Sequence, residues 1–207
     1  MDIAKEVFEW IICIIIALIL AFLIRYFLGT PTVVKHSSMF PTLEENQRLI
    51  LNRTHRITKK TPKVGDIITF EAPSQSFNAN NCDQSNPKAI YKEREMNWFE
   101  KFGYNLLEVT KVSYIKRVIA LEGTHVKIEN GKIYINGELF EEEYLADSVE
   151  TKSEVFNNFV VPEGYVFAIG DNRGNSVDCR DFGCIPLDKV EGIVLCRWWP
   201  FSEFKLY

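Results

Sequence analysis

Three features of this chain have residue types suited to chemistry: a serine in a short exposed segment, a lysine inside a β-branched run, and a loop crowded with turn formers and charges. Ser38 sits in Lys35-His-Ser-Ser-Met-Phe-Pro-Thr-Leu43, where Pro41 bars a regular helix and biases Phe40 towards extended backbone. The hydroxyl is therefore presented on a strand end or loop beside which an extended peptide could lie. A serine hydroxyl is a poor nucleophile at neutral pH and needs a base within hydrogen-bond reach. The three histidines form no obvious triad: His55 lies in a basic turn, His125 in a hairpin, and His36 only two residues before Ser38. Lys116 is the alternative base, set in Tyr114-Ile-Lys-Arg-Val-Ile-Ala120 among side chains that should wall it off from water. Desolvation disfavours the ammonium, and moving a lysine from about 10.4 towards 8 takes roughly 3 kcal/mol. Strand alternation sends Tyr114, Lys116 and Val118 to one face and Ile115, Arg117 and Ile119 to the other. Such a pair could perform acyl transfer. On the residues alone, a solvated turn serine and a snorkelling lysine paired with a carboxylate remain open.

The elements that must position these residues can be read in outline. At 207 residues the chain can hold one domain with a proper core plus an anchor. A net charge of -4, a pI near 5.5 and the lack of a dense Lys/Arg block exclude nucleic acid as a partner. Trp10 to Leu28 is 19 residues long with Arg25 as its only charge, so it reads as a transmembrane helix with Trp10 and Tyr26 as interface anchors. Charge does not set its orientation, since Lys5 precedes the span while Arg25 lies near its C-terminal end and Lys35 and Arg48 follow it. The chemistry places the N-terminus in the cytoplasm and residues 30–207 outside.

Thr30 to Lys35 reads as a short connector running into a strand, followed past Ser38 by a strand at Arg48–Asn52 and by Val64–Phe70, where Gly65-Asp66 marks a turn and the β-branched run after it a buried strand. Residues 72–105 break the pattern and read as an insertion, with Trp98, Phe99 and Phe102 spaced for one apolar helical face. Val112 to Leu121 is the clearest strand. Asn130-Gly131 between alternating runs marks a hairpin. Gly137 to Asn158 is looser, Tyr165 to Ile169 is a strand, and the last strands run from Val190 to Trp198. Trp198 to Phe201 reads as core packing, with headgroup contact as the alternative. The fold expected is a mainly antiparallel β-sheet domain behind one N-terminal transmembrane helix, divided into 1–29 and 30–207. Of the five cysteines none has metal-ligand spacing, and free thiols are the reading, although Cys179 and Cys184 could pair.

Gly170 to Gly183 is too polar for a core strand yet lies between apolar strands, so its polar groups must satisfy one another. Four boxes now stand in order behind one apolar span: Ser-Met-x-Pro-Thr-Leu, Gly-Asp-Ile-Ile-x-Phe, Tyr-Ile-Lys-Arg-Val, and Gly-Asp-Asn-Arg-x-Asn-Ser-x-Asp-x-Arg-x-Phe-Gly. This arrangement resembles the bacterial type I signal peptidases, over nearly all of the chain past the span except 72–105 and 137–158. The resemblance implies a signal-peptidase-like β fold and a serine endopeptidase with a Ser38 nucleophile and a neutral Lys116 general base. It implies that Ser176 hydrogen-bonds the lysine amine, that Asp178 and Arg180 brace the loop, and that Asp171 pairs with Arg117. It assigns part of the oxyanion hole to the Ser38 backbone N–H.

The implied partners are the lipid bilayer and the signal peptides of exported preproteins, cut after small residues at -1 and -3, with no metal or cofactor. Val34 and Ile115 stand where the family lines its shallow substrate pockets, and the peptide would add as a β-strand beside them. Departures accompany the match: His36 stands where relatives carry glycine or serine, Ala120, Glu122 and Thr124 alter a turn, and Cys179 replaces a serine. They motivate a rival reading, a catalytically impaired binding module of the same fold. A self-cleaving Ser/Lys repressor is the third reading, but a bilayer span stands where its DNA-binding domain belongs.

Overall fold

The structure is a computed structural model that describes residues 3–207 apart from 59, 79, 94, 105–110 and 147, and no side chains at 4, 56, 57, 101 and 102. The Phe102 side chain of the expected apolar face, and parts of the 72–105 insertion, lie outside the described residues.

Helix α1 (Ile3–Leu23) continues as a π-helical turn to Leu28. Lys5–Leu28, 24 residues of mean hydropathy 3.0, is long and apolar enough to cross a membrane and has no buried residues. The helix therefore starts earlier than the apolar run suggests, because α-helix continues through residues of mixed polarity as long as nothing caps it. No connector follows. β1 (Gly29–Val33) begins at once and pairs with β2 (Arg48–Asn52), so the expected linker at 30–35 is mostly strand. Gly29 is required there, since a Cβ would lie 2.8 Å from the Leu51 carbonyl oxygen. Pro31 is tolerated because β1 is an edge strand.

α2 (His55–Thr58) leads to β3 (Ile67–Glu71), and the capped α3 (Trp98–Phe102) lies in the insertion. Next come β4 (Ser113–Leu121), β5 (His125–Glu129), β6 (Lys132–Ile135), β7 (Glu138–Leu139), β8 (Asn158–Val160) and β9 (Tyr165–Ile169). α4 (Cys179–Phe182), β10 (Ile185–Pro186), β11 (Val190–Trp199) and β12 (Lys205–Leu206) close the chain. The main sheet runs β1-β2-β11-β3-β4-β9-β10 with β12 on β11, and a smaller one runs β7-β6-β5-β8. Every paired strand is antiparallel. The β5–β6 turn places Asn130 and Gly131 at positive φ, as a tight hairpin of this twist needs.

β4 lies deep in the main sheet between β3 and β9, and Lys116 to Ala120 are all buried. A register shift between Val118 and Ala120 interrupts the strict alternation expected of this strand. One apolar cluster, containing Phe70, Phe156, Phe167 and Phe182, fills the body of the domain. A second, of Val34, Met39, Leu43, Leu49, Leu51, Ile67 and Val194, lies under the Ser38 segment.

Two further expectations are corrected, and the free-thiol reading of the cysteines holds. Gly170–Gly183 is not all irregular: Asp178 and Asp181 form a reciprocal capping box that starts α4. Trp199 and Phe201 are 42% and 68% exposed, so the aromatic end is not core. Those rings pack on one another, and the Trp199 ring also on the Arg48 guanidinium, where β11 pairs with β2 at the end of the sheet. All five cysteines are free, Cys179 and Cys184 buried among them.

Candidate active site

The Ser38 segment is pinned by its neighbours. Ser37–Met39 forms one 3-10 turn after β1, and the fully buried Met39 and Leu43 plug it into the apolar cluster below. From the other side the 170–176 loop grips its backbone. The Asn172 N–H donates to the Ser38 carbonyl at 3.0 Å, Asn172 Nδ2 to the Ser37 carbonyl at 3.0 Å, and Asn175 Nδ2 to Ser37 Oγ at 3.2 Å. The hydroxyl is thus held on a short turn whose two flanks belong to distant parts of the chain.

Lys116 reaches it from β4, opposite Ile68 of β3. Its Nζ is 2.7 Å from Ser38 Oγ and the residue is 3% exposed. The ammonium donates to the hydroxyl oxygen, and the deprotonated amine accepts the hydroxyl proton. Burial pushes the lysine down to about 8, against the pull of the Asp178 and Asp171 carboxylates and with the help of Arg180. Desolvation wins because the nearby acids are already committed to arginines.

Those commitments are specific. Arg117 donates Nε and Nη2 to Asp171 at 3.0 and 2.7 Å, and Nη1 to the Gly65 carbonyl at 3.0 Å. Arg180 meets Asp178 through Nε and Nη2, both at 2.9 Å, and the same carboxylate accepts the Gly170 N–H at 2.9 Å. Each buried carboxylate therefore has a two-pronged arginine partner, the geometry in which a buried ion pair offsets most of its desolvation.

Ser176 is a correction. Its Oγ is buried with no hydrogen-bond partner among the described residues, and the described hydrogen bond of Lys116 goes to Ser38 instead. Arg180 Nη2 holds the Ser176 carbonyl at 3.4 Å, and the hydroxyl lies against Gly170. A Cβ at Gly170 would overlap both Ser176 Oγ and the Ser38 carbonyl oxygen, so the missing side chain lets the loop close on the nucleophile's turn.

Val34, 3% exposed, and the half-buried Ile115 share the apolar cluster beneath Ser38. Two of the three histidines bond elsewhere, the His55 ring to the Val190 carbonyl and the His125 ring to Asn158. Burial pushes the Cys179 and Cys184 thiols up, away from the reactive thiolate. Among the described residues no cluster of three or more His, Cys, Asp or Glu could hold a metal ion.

Sequence reasoning gave no role to Arg173, whose Nε donates to the Gly170 carbonyl at 3.1 Å, nor to Glu142 and Tyr144, which contact Arg173 and Arg117. Arg173 was within reach, as a charge in a loop that must satisfy itself. Glu142 was not: it belongs to a run of glutamates that reads as a solvated face.

Residues 7–199 match the family described as signal peptidase, peptidase S26. The probable signal peptidase I-1 of Synechocystis sp. is 33% identical over 92% of this chain and 82% of its own. The signal peptidase IB of Staphylococcus aureus is 31% identical over 97% of this chain and 94% of its own. A solved signal peptidase I from Enterococcus faecalis V583 aligns with 65% of this chain and 97% of its own at 27% identity and a TM-score of 0.39.

Proposed function

Because the chain belongs to the peptidase S26 family of signal peptidases, we propose that it removes signal peptides from exported preproteins with Ser38 as nucleophile and Lys116 as general base. It is a serine endopeptidase of the signal peptidase I type. The single observation that carries the assignment of roles is the buried Lys116 Nζ at 2.7 Å from Ser38 Oγ.

In this reading the neutral amine takes the hydroxyl proton as Oγ attacks the scissile carbonyl. The new alkoxide is met by the Ser38 backbone N–H. When the tetrahedral species collapses, Lys116 returns the proton to the leaving amine, and the acyl-enzyme remains on Ser38. Water then attacks the ester with Lys116 again taking a proton, which frees Ser38 and the signal peptide's new carboxylate. Asp171 with Arg117, and Asp178 with Arg180, support the pair by fixing the loop that closes over it. Val34 and Ile115 line the floor on which small side chains at -1 and -3 rest while the peptide adds as a strand.

Residues 1–29 act as a single-pass anchor with the N-terminus in the cytoplasm, and residues 30–207 form the extracytoplasmic catalytic region with its insertion at 72–105. The apolar helix, of which no described residue is buried, supports the anchor, since that much uncovered apolar surface is stable only in a bilayer. Enzyme and preprotein then meet on one membrane surface. The short Ser38–Lys116 contact counts against the catalytically impaired binding module.

The test is cleavage of a purified preprotein by the full chain in detergent. Wild type should release the signal peptide, and Ser38→Ala and Lys116→Ala should each lose that activity while melting as folded proteins. Cleavage retained by either variant removes that residue from its role.

A further inference from the structure

Residues 137–158 look like a loose connection, and nothing in the reaction so far uses them. Two of their side chains nonetheless close on the back of the loop that holds Ser38. Glu141 and Glu143 point to solvent, but the carboxylate of Glu142 between them is 11% exposed. It takes both amino groups of Arg173, with Nη1 to Oε2 at 2.8 Å, and Thr151 of the same connection accepts from Nη1 as well. The guanidinium so held donates Nε to the Gly170 carbonyl at 3.1 Å.

Two residues past Glu142, the Tyr144 ring lies 3.9 Å from the Arg117 guanidinium, and its hydroxyl donates to Glu142. Burial and the neighbouring Glu142 keep that phenol protonated. Arg117 in turn grips Asp171. One strap thus touches both arginines, they hold the consecutive residues Gly170 and Asp171, and the next residue, Asn172, donates its N–H to the Ser38 carbonyl.

We propose that Glu142 is a positioning residue for the nucleophile, holding Arg173 on the Gly170 carbonyl so that the 170–172 backbone keeps Ser38 in line with Lys116. The inference rests on the roles given above to Ser38 and Lys116. An ionised carboxylate is needed because only it offers two acceptors to the planar fork and balances a guanidinium that is 5% exposed. A glutamine offers one acceptor and sets an amide NH2 against the cation. The fork then shifts, and the error passes through Gly170 to the Ser38 carbonyl. Lys116 feels it too. Tyr114, Asp171, Asp178, Cys179 and Arg180 are the groups that face it, and a looser 170–171 backbone admits water among them.

The experiment compares wild type, Glu142→Gln, Glu142→Asp and Ser38→Ala as full chains in detergent, with kcat, KM, the pH profile of preprotein cleavage and thermal melting measured for each. Glu142→Gln should lower kcat roughly tenfold, as a small misplacement of a reacting group does, with KM within about twofold. Its acidic limb should move to higher pH, and Glu142→Asp should recover part of kcat. A kcat within twofold of wild type overturns the proposal, as does a fall that tracks loss of folded protein with the limb unmoved. Ser38→Ala separates the two levels: its full inactivity beside an intact Glu142→Gln removes only the role of Glu142, whereas residual activity in Ser38→Ala removes the dyad.

Discussion

The pH dependence of cleavage is the sharpest consequence of a buried base. At pH 7 a lysine at about 8 is neutral in roughly one molecule in ten, whereas an ordinary lysine is neutral in about one in several thousand. Raising the pH from 7 to 9 should therefore raise kcat/KM about tenfold, along a limb with one proton lost near pH 8. The same displacement bears on stability. From 10.5 down to about 8 is a penalty of about 3 kcal/mol on the folded state, since burial strips water from the ammonium. The folded protein binds fewer protons than the unfolded one between these two values, so stability should rise with pH across that window. Below about 8 the penalty is complete, and above 10.5 it is gone. In Lys116→Met the charge is absent from both states, and the rise in urea midpoint between pH 8 and 10.5 should disappear while cleavage is lost. The assay is steady-state cleavage of a preprotein at each pH, paired with urea melts of the same samples. An activity limb near 6.5 that vanishes in His36→Ala would refute the reasoning, as would one above pH 10, the value of a lysine still in water.

Other perturbations follow from particular contacts. Gly170→Ala places a methyl on the Ser38 carbonyl and Ser176 Oγ. Ser176 can rotate but the carbonyl cannot, so melting should show a loss of about 1–3 kcal/mol and cleavage assays a larger loss of kcat than of KM. Asp178→Asn unbalances Arg180, whose charge is 6% exposed, and chemical denaturation should show a loss of about 3–5 kcal/mol, the usual cost of breaking a buried pair. Ile115→Ala enlarges the floor beside Ser38, and a series of preproteins with Ala, Val or Leu at -1 should show discrimination between them reduced about tenfold.

Much was legible from local pattern. Pro41 after Ser38, the β-branched run around Lys116, Asn130-Gly131 and the long apolar N-terminal stretch each announce their own backbone state through near neighbours, because propensity, turn chemistry and hydrophobic period act over a few residues. The order of the four boxes added the family and with it the roles to look for. The capped α4 was signalled by Asp178 and Asp181 three apart, a pattern easily lost among so many turn formers.

Tertiary structure alone decided the rest. Ser38 and Lys116 are 78 residues apart, and only the pinning of one turn between an apolar cluster and the 170–176 loop brings Nζ within 2.7 Å of Oγ. The lowered affinity of Lys116 for its proton is likewise a property of what surrounds it, and periodicity along one strand cannot count the atoms packed above and below. Ser176 Oγ lies against Gly170, and the Lys116 amine meets Ser38 instead. Glu142 looks like any solvated glutamate until the fold brings Arg173 to it across 31 residues. Sequence determines which groups can ionise, and packing determines which of them must find a partner away from water.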